Sequence, residues 1–233
     1  MCKGESLIHT EKVIKMKEKK TWLKLTTIFI VLFMLWTLAV CFFDVGAISP
    51  DRSKVGFATI NKAVHDFTGV NFSLYILTDW LSIVPICFVA GFGFFGFAQS
   101  LKRKSLLKVD RDILLLGVFY LIVLTVFLFF EKLVVNYRPI LINGVAEASY
   151  PSSTTMLVIC VMSSAAIQFN RRIKKRTLRL FINLVIAIFT IFMVVCRLLS
   201  GVHWFSDIIG GALISTGLVS GYYCSICAPE KRM

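Results

Sequence analysis

Six apolar runs constrain this chain more than any other feature of its sequence. They lie at about 22–43, 74–99, 113–130, 151–169, 180–196 and 204–224. A hydrocarbon core about 30 Å thick is crossed by about 20 helical residues. Backbone N–H and C=O groups in lipid must be satisfied within the segment or in a closed barrel. Alternating-polarity strands, the signature of a barrel, are absent. The predicted fold is therefore all-α: a polytopic membrane protein with six transmembrane helices. A hydrophobic fraction of 57% agrees, being more than a soluble domain of this size needs.

The formal net charge of +13 could suggest nucleic acid, but its placement argues for topology instead. Basic residues crowd the N-terminus (Lys12, Lys15, Lys17, Lys19, Lys20, Lys24) and recur in "LKRKSLLKVDR", in "NRRIKKRTLR" and in the final "KR". With six spans, all four regions fall on one side of the membrane. Lys and Arg mark cytoplasmic loops, so both termini are predicted to be cytoplasmic. The expected organisation is a basic segment at 1–21, a six-helix membrane domain at 22–227 and a short tail at 228–233. The first apolar run is longer than a signal-peptide core and lacks a small-residue cleavage site, which makes it a retained helix. The charge asymmetry, without an ER-retrieval signal, points to a bacterial plasma membrane. Membrane lipids are the expected surroundings, and nucleic acid is not an expected partner.

The seven cysteines form no extracellular framework; Cys224 and Cys227 make a lone C-x-x-C, a weak metal signal without partner ligands. "GFGFFG" at 91–96 is a candidate close-packing face between helices, and the oligomeric state stays open.

Three segments face away from the cytoplasm. In the first, 44–73, Phe57, Ile60, Val64 and Phe67 recur at helical spacing, which suits either a helix on the membrane surface or a solvated loop. The second, "EKLVVNYRPILINGVAEASYPSSTT", brings Arg138. The third, "CRLLSGVHWFSD", brings Arg197, His203 and Asp207. Ionisable residues at membrane depth are costly and mark functional sites.

His203 and Asp207, four apart, are predicted to share a face of the last helix. A carboxylate accepting from one imidazole nitrogen leaves a lone pair on the other, which prepares a nucleophile. Arg197 presents a planar fork suited to a phosphate. Pro151 is predicted to open a helix, leaving the N–H groups near Ser152, Ser153 and Thr154 free for an anion. The residues lack a His/Cys/carboxylate cluster, so neither a metal nor another cofactor is expected.

These residues resemble the type 2 phosphatidic acid phosphatase (PAP2) superfamily of lipid phosphatases. That pattern has Lys, six residues, then Arg-Pro; next Pro-Ser-Gly-His; then Ser-Arg, five residues, His, three residues, Asp. Arg138-Pro139, Pro151-Ser152, and Arg197 with His203 and Asp207 match it in order and spacing, with Cys196 in place of Ser. The resemblance implies that His203 attacks phosphorus and carries the phosphoryl group, oriented by Asp207. Arg138, Arg197, Ser152, Ser153 and Thr154 would hold phosphate oxygens, on a lipid phosphate or diphosphate at the outer membrane face.

Two positions depart from the family. Glu131 stands where the Lys belongs, with Lys132 beside it as a possible substitute. Thr154 stands where the family's second His acts as general acid. A hydroxyl cannot protonate a leaving group at neutral pH, and such help is worth about 10²–10⁴-fold. A phosphate leaving group needs that proton far less than an alkoxide, since its second pKa is about 6. The expected substrate is thus a lipid diphosphate, such as a polyprenyl diphosphate. His65 is an alternative proton donor. The competing readings are a phosphotransferase, a family member that binds lipid phosphate without turnover, and a small transporter; the last lacks a visible internal repeat.

Overall fold

The computed structural model describes residues 2–50 and 52–227, with side chains from residue 16 onward, Asp51 excepted. The side chains of Lys12 and Lys15, and the final Lys231 and Arg232, lie outside the described residues. The helices are α1 (Cys2–Phe42), α2 (Ala58–Thr68), α3 (Phe72–Leu81), α4 (Ile83–Arg103), α5 (Arg111–Lys132), α6 (Ser153–Arg172), α7 (Arg176–Leu199) and α8 (Phe205–Cys227). Among the described residues no strand forms beyond isolated bridges.

Among the described residues, six helical segments are long and apolar enough to cross a membrane: Met16–Phe42, Phe72–Arg103, Arg111–Lys132, Ser153–Arg172, Arg176–Leu199 and Phe205–Cys227. Each coincides with a predicted run. A single helix, α1, carries the chain from the basic N-terminal segment into the first span. The second span is not one helix. Pro85 has no N–H and its ring crowds the carbonyl four residues back, so the chain breaks at Ser82 between α3 and α4.

α6 and α8 form the centre: 56% and 50% of their apolar windows are buried, against 6–22% in the other spans. α8 packs along α1 and α6, and α3 packs on α7. The buried face of α8 carries Gly210, Gly211, Ser215, Gly217 and Ser220. Small residues let helices approach closely in lipid, where contact replaces the hydrophobic drive. Gly210 is required outright: a Cβ there would lie 2.5 Å from the Tyr150 ring. In "GFGFFG", by contrast, Gly91 and Gly93 have open space around them, and only Gly96 sits against a neighbour, Ile113.

The basic segments gather at one end. Trp22 and Tyr223 pack there as a tilted pair with centroids 4.6 Å apart, and Asp112 pairs with Arg172 at 2.9 Å and Arg171 at 3.5 Å. The opposite end holds the last turns of α5 and α7, the first turns of α6 and α8, and the 133–152 loop. The 44–73 segment lies at this end and does contain a helix, α2. Its inward contact is polar: Asn61 is buried and bonds to Gly56 O and Ser206 Oγ, whereas Phe67 is 90% exposed. Phe57 precedes the helix and stacks on Trp36 at 4.8 Å.

Candidate active site

The 133–152 loop folds back on itself like a hairpin, and that register assembles half of the site. Tyr137 pairs with Ala148, and a tight turn closes at Ile142 and Val145 over Asn143 and Gly144, both at positive φ. Arg138 N–H donates to Glu147 O at 3.0 Å, and Ser149 N–H to Asn136 O at 2.9 Å. Arg138 and Glu147 thus face one another, with Arg138 Nε 3.1 Å from Glu147 Oε2.

The turn before α8 supplies His203. Gly201 makes it possible, with φ +67 and a Cβ position only 2.2 Å from Gly69 O. The turn places His203, 3% exposed, with Nδ1 3.1 Å from the Ser149 carbonyl oxygen. A carbonyl can only accept, so Nδ1 carries the proton and Nε2 keeps its lone pair. Nε2 is buried and has no hydrogen-bond partner. Burial holds the His203 pKa well below the ordinary 6.5, and the nearby Arg138 and Arg197 charges push it the same way. Such a His takes up a proton on unfolding, so it lowers stability as pH falls below 6.5. The expected result is that the melting temperature falls less between pH 7.5 and 5.5 in His203→Gln than in the native chain, measured by thermal denaturation in detergent.

Asp207 plays a different part from the one its spacing suggests. His203 precedes α8 rather than lying on it. Asp207 Oδ2 is 3.7 Å from His203 Nδ1, too far for a hydrogen bond, and Ser149 O takes that proton instead. Asp207, fully buried, accepts from Asn136 Nδ2 at 3.1 Å and from Trp204 N–H at 3.0 Å. Its backbone oxygen accepts the Ser152 N–H at 3.0 Å. It therefore ties the hairpin, the start of α6 and the His203 turn together, and leaves a negative charge near the imidazole. Replacing Asn136 by Ala would strip a donor from this buried carboxylate. The expected loss is about 1–3 kcal/mol of stability, with reduced turnover, read from melting temperature and activity together.

Pro151 does not open α6. The helix starts at Ser153, and Ser152 is its cap, accepting the Thr155 N–H on Oγ. A cap with Oγ and N–H both engaged has no donor left from its backbone, so the free first-turn N–H groups are those of Ser153 and Thr154. Glu131, Arg138, Glu147, Ser149, Ser153 and His203 line a cavity of about 40 Å³. Beside it runs an apolar groove of about 580 Å³ between α4, α5 and α6. The two share Phe127, Ser153 and Met156; Thr154 lines only the groove. At the end of α5, Glu131 rather than Lys132 faces the cavity, and Lys132 is exposed. His65 packs its ring 5.5 Å from that of Trp204 and is not among the cavity-lining residues.

Arg197 is buried at the end of α7. Its Nη1 donates to Asp79 Oδ1 at 2.9 Å and Thr78 Oγ1 at 3.1 Å, and the guanidinium lies 4.9 Å from the Tyr75 ring centre. Asp79, Asn136, Glu147 and Ser149 are the residues that the sequence patterns did not single out. For Asp79 a signal was present, a carboxylate inside an apolar run. Among the described residues, no three His, Cys, Asp or Glu side chains gather as a metal-ligand set.

Residues 133–229 match the sequence profile of the PAP2 superfamily. The fold is similar to the crystal structure of a transmembrane PAP2-type phosphatidylglycerolphosphate phosphatase from Bacillus subtilis, with a TM-score of 0.60 and 14% identity, over 86% of this chain and 94% of that one. Identity that low speaks for the fold alone. No curated protein matches the chain.

Proposed function

We propose, on the premise that residues 133–229 are a PAP2-superfamily region within a PAP2-type membrane fold, that this protein is a lipid phosphatase working through a phosphohistidine. The observation that carries this is His203: Nδ1 is engaged by Ser149 O, while a buried, unpartnered Nε2 shares a cavity with Arg138. The Nε2 lone pair attacks phosphorus as the bond to the leaving oxygen breaks. Water then attacks the phosphoryl group, the P–N bond breaks, Nε2 regains its lone pair, and the water proton leaves on inorganic phosphate. Arg138 and Arg197 hold the phosphoryl oxygens, the Ser153 and Thr154 N–H groups face the same oxygens, and the Asp207 charge steadies the imidazolium that forms. Ser152 acts through its cap, and Lys132 has no assigned contact.

The preferred substrate is a lipid diphosphate such as a polyprenyl diphosphate, because Thr154 cannot serve as general acid. The hydrocarbon lies in the groove beside the cavity. The site is at the end opposite the basic segments, which on the charge rule is the non-cytoplasmic face of a plasma membrane, bacterial by the same asymmetry, with both termini cytoplasmic. The domain division follows as a membrane unit over 22–227.

Phosphate release by purified protein from a polyprenyl diphosphate and from phosphatidic acid, with and without EDTA, tests this. Release that survives EDTA is expected; release abolished by EDTA would contradict it. A second reading, binding without turnover, is favoured by Glu131 on the cavity wall, and absence of release from both lipids by folded protein would support it.

A further inference from the structure

Both arginines of the site are already paired with carboxylates, and the pairing is lopsided. Arg138 and Arg197 are 11% and 3% exposed at their side chains, while their partners Glu147 and Asp79 are 43% and 48% exposed. The guanidinium groups are enclosed, whereas the carboxylates are half-exposed, Asp79 on the wall of the apolar groove and Glu147 on the wall of the cavity. Nor do the carboxylates complete the arginines. Arg138 Nη1 and Arg197 Nε are buried without a hydrogen-bond partner, and Arg138 Nε, 3.1 Å from Glu147 Oε2, is ion-paired there without making a hydrogen bond. These orphan donors and His203 Nε2 are what a tetrahedral oxyanion would satisfy, and leaving them unmet is costly. Glu131 and Glu147 stand on the cavity wall with Arg138 and His203, while Arg197 is not among the cavity-lining residues and its partner Asp79 lines the adjoining groove.

We propose that Asp79 and Glu147 are specificity residues that compete with phosphate for Arg197 and Arg138, so that the site admits a phosphate delivered by a membrane lipid and turns away inorganic phosphate and water-soluble phosphate esters. This rests on the lipid-phosphatase reading of the same cavity. The lipid wins the competition by placement. Its chain lies in the groove that shares Phe127, Ser153 and Met156 with the cavity, which holds its head group at high effective concentration. A soluble anion must displace the carboxylates from bulk solution. After hydrolysis the product has lost that tether, and the returning carboxylates expel it.

The test is calorimetric titration of inorganic phosphate into the full chain in detergent, in a His203→Ala background, with Asp79→Asn, Glu147→Gln and both together. Neutralising each carboxylate is expected to tighten phosphate binding by roughly fivefold, the scale of a partly exposed ion pair, and the double change to tighten it further. In the His203-containing protein, the KM for a water-soluble phosphate ester should fall while that for the lipid stays nearly constant. Unchanged or weaker phosphate binding in folded variants overturns the proposal, as does absence of binding in all of them. Should Asp79→Asn fail to fold because Arg197 is left buried and unpaired, Glu147→Gln, on an exposed loop, decides alone. Lipid turnover by the native chain is measured separately, so a native chain that hydrolyses lipid with unaltered phosphate binding in the variants sinks this inference and spares the catalytic reading. Tightened binding without any turnover does the reverse.

Discussion

Replacing His203 by Ala is expected to lower lipid phosphate release by roughly 10⁵–10⁶-fold, the scale seen when an enzyme loses its nucleophile. The size follows from the chemistry. Removing the imidazole removes an unpartnered nucleophilic nitrogen from the cavity wall, the only one among the described residues, while Arg138 and the start of α6 stay in place. Binding should therefore survive far better than turnover. The substitution also deletes a buried ring whose Nδ1 donates to Ser149 O, so the melting temperature belongs beside the rate. A variant that keeps its fold and a tenth of its activity would place the nucleophile elsewhere.

The second large effect concerns the leaving group. The native chain is expected to hydrolyse a polyprenyl diphosphate at least about 10²-fold faster than phosphatidic acid, the lower bound of general-acid help. Thr154 sits on the wall of the apolar groove, on the first turn of α6 and next to Ser153, which lines both the groove and the cavity. A leaving oxygen attached to a chain in that groove would pass it. Thr154→His should then raise phosphatidic acid turnover by about 10²-fold or more and leave diphosphate turnover little changed. Equal native rates on the two lipids, or a histidine variant with no gain on the monoester, would remove the case for a diphosphate substrate.

The membrane fold was legible because its signal is physical and local. Apolar runs of fixed length can be counted, and all six spans appear where the runs lie. The candidate site was legible where its residues lie close together in the chain, as Arg197, His203 and Asp207 do between the end of α7 and the first turn of α8. It was not legible where the partner came from elsewhere in the chain. The i, i+4 spacing suggested an Asp207–His203 hydrogen bond, but the turn at Gly201 carries His203 off the helix, and Ser149, 54 residues away, supplies the acceptor. The Pro151 rule failed by two residues because Ser152 N–H is drawn to Asp207 O, which leaves Ser152 as the cap. Asp79 was hidden inside a run read as one continuous helix; the break before Pro85 puts it near the end of α3, against Arg197. Glu147 gave no sign until the hairpin register set it opposite Arg138.

The central claim is a phosphoryl group carried on His203 Nε2. The most direct measurement mixes purified protein with radiolabelled lipid diphosphate, quenches on the millisecond scale under alkaline denaturing conditions that preserve phosphohistidine, and maps the label by peptide mass spectrometry. An acid-labile, alkali-stable phosphoryl group is expected on the peptide containing His203, formed within the time of one turnover and absent in His203→Ala. Steady turnover with no label at His203, or with the label on another residue, would contradict it.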